Sequence, residues 1–405
     1  MINFTAGGVT EPKGFLASGI HCGIRRNTEK KDLALIYCTK ICDAAAVYTQ
    51  NLVKGAPIYV TKRNLHNGRA QAMICNSGNA NTCNADGEEK AEQTCKALAR
   101  ELKIDAEDII IGSTGVIGQP LNIKAITDGI PALVKNLSAE GSADAAMAIM
   151  TTDLVKKEYA VTFKLGGKNA YIGGIAKGSG MINPNMATML AFLTTDAAIS
   201  CELLASALAE SVKNTYNMLT IDGDTSTNDM ASIMASGLAG NPKITEKNKD
   251  YKTFVKALTA LNTKIVRSMA RDGEGATKLV ECRVNGAPNG CTARAAAKSV
   301  VSSSLVKAAM FGSDANWGRI LCALGYAGKK IDIKKIDVSF ISKTGVLDVC
   351  RDGAGIPFSE ETAKKVLSDD EITIEVNLND GNSKAAAFGC DLTYDYVKIN
   401  GDYRT

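Results

Sequence analysis

Histidine is nearly absent from this chain of 405 residues, which contains only His21 and His66. A Ser-His-Asp or Cys-His catalytic site needs one of them, and neither lies in a suggestive sequence context. His21 stands beside Cys22, but we interpret this adjacency as chance rather than as a thiol nucleophile with its base. Histidine-rich metal sites are excluded for the same reason. A nucleophilic enzyme with this sequence would therefore need a base of another kind.

Long apolar runs are also absent. No run of about eighteen apolar residues exists, so we expect no membrane span. Residues 1–5 show no basic region followed by an apolar stretch, so we expect no secretory signal and a cytoplasmic location. The 12 cysteines are scattered, and only Cys38 and Cys42 are close in sequence, without a further Cys or His to complete a zinc set. Reduced, mostly buried thiols are the simplest interpretation.

The chain lacks a strong charge of either sign. It has 47 Lys and Arg against 43 Asp and Glu, a net charge of +4, and no long basic tract. Nucleic acid is therefore not an expected partner. A length of 405 residues is sufficient for two domains or lobes, and a 45% hydrophobic content is ordinary for a globular protein.

Strands and helices alternate along the sequence, joined by glycine-rich turns. Alternation of apolar residues and apolar spacings of three and four predict the elements. The predicted strands are residues 70–75, 108–111, 159–165, 189–193 and 372–378, with a hairpin turn at 166–169. The predicted helices are residues 88–102, 123–137 with a break at 129–131, 143–150, 203–216, 254–269 and 299–310. Residues 392–400 are rich in β-forming types and suggest a further strand. The pattern favours an α/β (α+β) architecture, with sheets covered by helices.

Thr188 is the strongest candidate nucleophile. A turn of Gly, Ser, Asn and Pro over residues 178–187 runs directly into the apolar run that begins at Met189, so Thr188 stands where a polar turn enters a strand. Cleavage between Ala187 and Thr188 would give Thr188 a free α-amine beside its own hydroxyl. Nucleophile and base would then belong to one residue.

Residues 112–118 (Gly-Ser-Thr-Gly-Val-Ile-Gly) form a second candidate site. The glycine spacing is not that of a dinucleotide fingerprint, and the Gly-Lys-Ser/Thr of a P-loop is missing. Backbone N–H groups in such a turn can stabilise an oxyanion, and Thr114 can add its hydroxyl. A tight joint between a strand and a helix explains the same residues equally well.

Two charged residues stand among glycines. Lys177 suits contact with a carboxylate or a charge that tunes a nearby amine, although an exposed turn lysine is the alternative. Glu274, at the predicted end of a long helix, can hold an ammonium group or relay protons, although a solvated loop is the alternative. The acidic residues 222–229 resemble a cation loop but lack the glutamate of an EF-hand, which favours a hydrogen-bonded polar loop. Residues 400–405 carry too many polar and aromatic anchors to be assumed frayed.

Ten segments, in order along nearly the whole chain, resemble the ornithine acetyltransferases, the glutamate N-acetyltransferases of the cyclic arginine pathway. Each segment is modest alone, but the ordered set is specific. The segments are residues 9–15, 76–81, 113–118, 150–153, 176–182, 184–190, 222–229, 272–278, 314–319 and 390–400.

The resemblance implies a two-lobed sandwich of helices and mixed β-sheets, of the self-processed N-terminal-nucleophile type. Self-cleavage between Ala187 and Thr188 would give an α chain of residues 1–187 and a β chain of residues 188–405. Thr114 and Gly115 would form the oxyanion hole. The sequence departs from the family pattern at two positions. Asn183 stands where relatives often have His. Gly401 stands where a residue with a side chain is common, and the missing side chain would loosen the tail. The substrate-binding residues carried over are Thr151, Lys177, Thr188, Glu274, Asn400 and Thr405.

The implied reaction moves an acetyl group from N2-acetylornithine to glutamate through an acetyl-Thr188 intermediate, with no metal or organic cofactor. The sequence leaves open whether acetyl-coenzyme A is a second donor. The resemblance also implies a heterotetramer of two α and two β chains. Two alternatives stay open: a self-processing aminopeptidase or amidase that uses water as acceptor, and an uncut binding or carrier protein in which Thr188 is structural.

Overall fold

The computed structural model describes residues 1–183 and 189–402, and its contacts divide the chain into two units. Of the described residues, the first unit takes 1–178, 189–216 and 225–265. The second unit takes 179–183, 217–224 and 266–402. Both units are therefore assembled from segments that are distant in sequence. This division in space differs from the division along the chain that self-cleavage at Ala187–Thr188 would make.

The first unit is built on nine of the described strands. They are β1 (Asn3–Thr5), β2 (Phe15–Ile20), β3 (Leu33–Tyr48), β4 (Arg69–Asn76), β5 (Ile109–Ser113), β6 (Lys157–Leu165), β7 (Lys168–Lys177), β8 (Leu190–Thr195) and β9 (Met230–Ala235). Its helices are α1 (Ala56–Asn64), α2 (Gly87–Leu102), α3 (Ile123–Lys135), α4 (Ser142–Ile149) and α5 (Cys201–Asn214). The helix α6 (Lys249–Arg271) contributes its residues up to Ile265 to this unit.

These strands form one mixed sheet in the order β1-β6-β7-β8-β9-β3-β4-β5, with β2 paired to β3. The long strand β3 pairs with β2 over residues 33–38, with β4 between residues 33 and 43, and with β9 over residues 43–48. Two pairs are parallel, β4 with β5 and β8 with β9. Because parallel neighbours end at the same edge of a sheet, the turns that follow β4 and β5 leave the sheet side by side.

Both faces of this sheet are buried. Ala34, Ile36 and Cys38 of β3 point into one apolar cluster, which also contains Phe192 and residues of α4. Leu33 and Leu35 point into a second cluster with residues of α2 and α3. A strand covered on both faces reads as a continuous apolar run, which explains the run that begins at Met189.

The second unit contains a sheet of six described strands in the order β13-β12-β11-β14-β10-β15. The helix α7 packs against β10 and β15. The strands are β10 (Leu279–Ala287), β11 (Asp337–Ser342), β12 (Gly345–Arg351), β13 (Ala354–Gly355), β14 (Glu371–Asn377) and β15 (Ser383–Cys390). The helices are α7 (Gly290–Ser302), α8 (Ser304–Phe311), α9 (Trp317–Gly325), α10 (Glu360–Leu367) and α11 (Tyr394–Asp402).

The predicted α+β class is confirmed, and several elements agree with their predicted positions. The helix predicted at residues 88–102 is α2, and the one predicted at 254–269 lies within α6. The predicted hairpin joins β6 to β7 through Gly166 and Gly167. Both glycines have positive φ, 51° and 81°, as two-residue hairpin turns require.

The predicted break at residues 129–131 is wrong, because α3 continues through Pro131. A proline inside a helix costs about 3 kcal/mol. Ile126, Ile130 and Leu133 lie on one face of α3 and are fully buried, and each contributes roughly 1.5–3 kcal/mol. Their burial outweighs the cost of the proline.

Two other predictions need correction. The helix predicted at residues 299–310 is divided at Ser303, whose side chain accepts a hydrogen bond from Val306 N and so begins α8. The β-rich tail forms the helix α11 instead of a strand. Thr393 Oγ1 accepts a hydrogen bond from Tyr396 N at 3.3 Å, the geometry of a helix N-cap, which overrides the β propensity of the residues that follow.

None of the helices within the described ranges combines the length and the apolar composition that crossing a lipid bilayer demands.

Phe192 tests how far stability depends on the centre of the large sheet. Its ring is 1% exposed in β8, between β7 and β9. We expect Phe192→Ala to lower the free energy of unfolding by about 3–5 kcal/mol, because it removes a buried ring and leaves a cavity. Denaturant unfolding followed by circular dichroism measures this. Leu52→Ala, at a side chain that is 91% exposed, is the control and should change it by less than about 0.5 kcal/mol. Equal effects of the two substitutions would contradict the assignment of this core.

Candidate active site

The turn that contains Thr114 and Gly115 is fixed by a second turn beside it. Asn76 ends β4 and Ser113 ends β5, and the two residues are partners in the parallel ladder. Gly115 has a φ of 130°, and a Cβ atom there would lie 2.3 Å from the carbonyl carbon of Gly78. Only glycine allows this backbone conformation together with this close approach.

Polar groups of the neighbouring turn hold the Thr114 backbone. Thr114 N donates to Asn76 O at 2.9 Å, and Ser113 Oγ donates to Asn76 Oδ1 at 2.6 Å. Asn79 Nδ2 donates to Gln119 O at 3.1 Å, beyond the far end of the turn. Thr114 itself is only 8% exposed, so its side chain is carried by a buried and tightly held backbone.

Lys177, the last residue of β7, lies in a buried polar cluster. The cluster contains Asp153, whose Oδ1 accepts hydrogen bonds from Lys157 Nζ at 2.5 Å and Gly178 N at 2.8 Å. Thr151 N donates to Asp153 Oδ2 at 3.0 Å. Asp153 therefore ties the predicted substrate residues Thr151 and Lys177 into one part of the first unit. Lys177 is 9% exposed, so the alternative of a solvated turn lysine is wrong.

The charges around Asp153 determine its protonation state. Burial by itself would raise the pKa of this carboxyl, but the ammonium groups of Lys157 and Lys177 and the hydrogen bond from Thr151 N lower the pKa to about 2. Asp153 is therefore an anion throughout the neutral range and balances one of two buried lysines.

Asp229, just before β9, is the second buried carboxyl near Lys177. Its Oδ2 is buried without a hydrogen-bond partner among the described residues. Burial raises the pKa of Asp229 well above its usual range, and hydrogen bonds from Ser226 and the charge of Lys177 oppose this only in part. Met230 N donates to Met189 O at 2.8 Å, so Asp229 is level with the residue that follows Thr188 in the sequence.

Glu274 and Asn400 come together in the second unit. Asn400 Nδ2 donates to Glu274 Oε2 at 2.8 Å, and Glu274 N donates to Ser179 O at 2.8 Å. A Cβ atom at Gly180 would lie 2.3 Å from Glu274 Cδ, so the glycine makes room for the carboxylate. Glu274 is half-buried and is not the fully solvated loop residue of the alternative interpretation.

The acidic segment at residues 222–229 acts as a hydrogen-bond acceptor for backbone. Asp222 accepts hydrogen bonds from Met181 N at 2.5 Å and Ile182 N at 2.8 Å, which fixes the segment beside Gly180. No three His, Cys, Asp or Glu side chains gather as a metal ion requires, in the part of the chain that the structure describes.

Neither histidine contributes to these groups of residues. His21 Nδ1 lies 3.2 Å from Asp32 Oδ2, and His66 Nδ1 lies 3.0 Å from Arg63 O. Burial raises the pKa of the Cys22 thiol, and the nearby charge of Asp32 raises it further. Cys22 therefore has no thiolate character, and a Cys22 nucleophile with His21 as base is not supported.

Four predicted roles fall on residues 184–188 and 403–405, which lie outside the described residues. They are the nucleophile Thr188, the cleavage site at Ala187 and Thr188, and the substrate contacts Thr188 and Thr405. Of the other predicted residues, Thr114, Gly115, Thr151 and Lys177 belong to the first unit. Glu274 and Asn400 belong to the second. Sequence reasoning missed Asp153 as a charge partner and Asp229 as a buried acid, and the only signal was their place in segments 150–153 and 222–229.

Comparisons with known proteins lead to the same family as the ordered motifs. The sequence matches the model of the ArgJ family over residues 16–405. It is 50% identical over 398 residues to the arginine biosynthesis bifunctional protein ArgJ 1 of Clostridium acetobutylicum, covering 98% of this chain and 97% of that protein. The protein named arginine biosynthesis bifunctional protein ArgJ from Caldanaerobacter subterraneus is 48% identical over 400 residues, covering 98% of this chain and 99% of that protein.

A solved structure is also similar. The crystal structure of the arginine biosynthesis bifunctional protein ArgJ of Bacillus halodurans has 46% sequence identity and a TM-score of 0.50. It covers 52% of this chain and 98% of the chain in that crystal structure.

The charge on Asp153 makes stability depend on pH in a defined direction. The folded-state pKa of about 2 lies below the ordinary value of 3.8, so the stabilisation is complete above about pH 4 and is lost as the pH falls towards 2. At pH 7 Asp153→Asn leaves Lys157 buried without its counter-charge, and we expect a loss of about 3–5 kcal/mol. Urea unfolding at a series of pH values measures the free energy of unfolding of the wild type and of Asp153→Asn.

The difference between wild type and Asp153→Asn should be constant from neutral pH to about 5 and should shrink below about 4. Asp128→Asn is the control, because Asp128 pairs with Lys124 on the surface and its side chain is 61% exposed. A difference that stayed unchanged down to the lowest accessible pH would show that the charge of Asp153 is not what stabilises the fold.

Proposed function

The chain belongs to the ArgJ family, and we propose that it transfers the acetyl group of N2-acetylornithine to glutamate, giving ornithine and N-acetylglutamate. The chain covers nearly the full length of the relatives that it matches, so the comparison concerns the whole protein. The structural observation that supports this most is the turn of Thr114 and Gly115. It presents a hydroxyl on rigid backbone beside a glycine that no other residue can replace.

The proposed nucleophile is Thr188, freed by cleavage after Ala187. An α-amine has a pKa of about 7.7 to 8.0, so it can accept the proton of the Thr188 hydroxyl near neutral pH. Lys177 pairs with Leu190 in the ladder of β7 and β8. This puts a buried cation opposite Leu190, two positions after Thr188 in the sequence. A cation near an amine lowers the pKa of that amine.

The reaction proceeds in two displacements. Thr188 Oγ attacks the acetyl carbonyl carbon and its proton passes to the α-amine, while the Thr114 hydroxyl and Gly115 N–H stabilise the oxyanion. The bond from the acetyl carbon to the ornithine nitrogen breaks, and that nitrogen takes the proton. Glutamate nitrogen then attacks the acetyl-Thr188 ester, and N-acetylglutamate leaves as Thr188 regains its hydroxyl.

The remaining predicted residues bind the two amino acids. The ammonium of Lys177 suits a substrate carboxylate, and the half-buried carboxylate of Glu274 suits a substrate ammonium. Asn400 orients Glu274 through the hydrogen bond to Oε2. We assign Thr151 and Thr405 to substrate contacts on the resemblance alone. We also propose a heterotetramer of two α and two β chains, which the native mass of the purified protein tests.

Intact mass under denaturing conditions tests the nucleophile. The wild type should give one chain that ends at Ala187 and one that begins at Thr188. Thr188→Ala should stay uncut and transfer no acetyl group, because it has neither the hydroxyl nor the freed amine. Thr188→Ser should keep cleavage and part of the activity. Thr127→Ala, on the partly exposed surface of α3, is the control and should behave as wild type. Acetyl transfer by Thr188→Ala would show that the mechanism is wrong.

The acyl acceptor distinguishes a transferase from the alternative amidase. With N2-acetylornithine alone, a transferase should release one ornithine per active site as a burst and then stop, because the acetyl-enzyme waits for glutamate. Addition of glutamate should restore steady turnover and yield N-acetylglutamate. Quenched-flow measurement of ornithine follows both phases. Steady release of ornithine and acetate without glutamate would instead establish a hydrolase.

A second donor is favoured by the names of the relatives, which are called bifunctional. We propose acetyl-coenzyme A as this donor, with glutamate as the acceptor. If both donors acetylate the same residue, Thr188→Ala removes both activities together.

A further inference from the structure

Asn228 lies in the polar loop before β9 and is 6% exposed. Its Nδ2 donates to Ala80 O at 2.6 Å and to Ser113 O at 2.9 Å. Its Oδ1 accepts from Thr82 Oγ1 at 2.6 Å and from Thr227 Oγ1 at 2.5 Å. A side-chain amide has two donor hydrogens and one oxygen with two acceptor positions, so every hydrogen-bonding position of Asn228 is used.

One of these bonds fixes the peptide unit in front of Thr114. That unit consists of Ser113 C=O, bound by Asn228, and Thr114 N–H, bound by Asn76 O at 2.9 Å. A peptide unit is planar, so hydrogen bonds at both of its ends set the orientation of the whole plane. The position of the Thr114 Cα atom, from which the side chain projects, is therefore fixed by Asn228 and Asn76.

The other donor bond reaches the adjacent turn. Ala80 O is bound by Asn228, while Ala80 N donates to Val116 O at 2.9 Å. Asn228 thus connects the residue before Thr114 to the turn that holds the residue after Gly115. One amide therefore fixes the separation between the turn that contains Gly115 and the turn that contains Ala80.

We propose that Asn228 is a positioning residue that holds the Thr114 hydroxyl and the Gly115 N–H where they stabilise the oxyanion. The inference rests on the proposed function, which assigns the oxyanion to these two groups. Asn228 acts through the backbone of residues 113–116 and does not touch the substrate.

The expected effect of Asn228→Ala falls on the chemical step. Loss of one oxyanion donor lowers kcat by about a hundredfold to a thousandfold, and a displacement of about 1 Å costs about a hundredfold. Because the donors stay present but shift, we expect kcat to fall about tenfold to a hundredfold while KM changes less than about threefold. A substitution that only weakened the fold would lower the unfolding midpoint and leave the kcat of the folded enzyme unchanged.

Asn64 provides a matched control, because its side chain also donates to a carbonyl oxygen of β5. It ends α1, is 8% exposed, and its Nδ2 donates to Ala106 O at 3.2 Å and Ile109 O at 2.8 Å. Ile109 begins β5, whereas Ser113 ends it. Asn64→Ala therefore removes the same kind of bonds, from an amide to two carbonyl oxygens, at the end of β5 that is remote from Thr114.

The experiment compares Asn228→Ala, Asn64→Ala, Thr114→Ala and the double variant Asn228→Ala/Thr114→Ala as cleaved, purified enzymes. We measure kcat, KM and the unfolding midpoint of each. Both asparagine variants should lose stability, and only Asn228→Ala should lose kcat. In the Thr114→Ala background, Asn228→Ala should lower kcat by a smaller factor than it does in the wild type, because the Thr114 hydroxyl is no longer there to be displaced and only the Gly115 N–H still shifts.

The outcomes separate the two proposals. An unchanged kcat in Thr114→Ala would overturn the oxyanion assignment of the proposed function. If Thr114→Ala is impaired, two results would show that the positioning role of Asn228 is wrong. In the first, Asn228→Ala loses no more kcat than Asn64→Ala. In the second, Asn228→Ala lowers kcat by the same factor in the wild type and in the Thr114→Ala background. Should Asn228→Ala fail to fold, Thr82→Val keeps the shape and removes one hydroxyl bond to Oδ1. That variant should lower kcat without raising KM, and an unchanged kcat there would also refute the role of Asn228.

Discussion

The parallel pairing of β4 with β5 is the constraint on which the candidate site depends. It brings Asn76 and Ser113 level at the edge of the sheet, so the two turns that follow are in contact. The contact is close enough that residue 115 cannot carry a side chain. The amides of Asn76 and Asn79, and from the other side Asn228, then satisfy the backbone of these turns. Hydrogen-bond donors that are held in this way need little reorganisation when negative charge develops beside them.

The polar cluster at the end of β7 brings buried charged groups of both signs together in the first unit. Two buried ammonium groups, Lys157 and Lys177, lie near two buried carboxyl groups. Asp153 takes several hydrogen bonds and stays charged, whereas burial favours the neutral form of Asp229. Lys177 thus acts on both carboxyl groups, because its charge lowers the pKa of Asp153 and partly opposes the effect of burial on the pKa of Asp229.

Much of the fold followed from local sequence, because apolar spacing and turn glycines reflect interactions between near neighbours. This holds for α2, α6 and the turn at Gly166 and Gly167. The break at Pro131 and the strand at residues 392–400 were wrong where burial or a helix cap overrode local preference. The family was recognised from its ordered motifs, and the comparisons confirm it. Asn228 could not be assigned a role from sequence, since its partner Ser113 is 115 positions away. The role of a buried amide depends on which backbone groups surround it.

The position of β8 and β9 in the large sheet determines what a cleavage of the backbone before β8 would do to the fold. These strands follow residue 188 in the chain, yet they lie between β7 and β3, which precede it. A backbone break between Lys177 and Leu190 would therefore leave two polypeptides interleaved within one sheet, each completing the other's hydrogen-bond ladder. Separating them would require the sheet to unfold. After complete denaturation, reassembly would become an encounter between two molecules and would depend on their concentration, whereas the intact precursor folds as one. Maturation by such a break would be a one-way step in structure as well as in covalent chemistry.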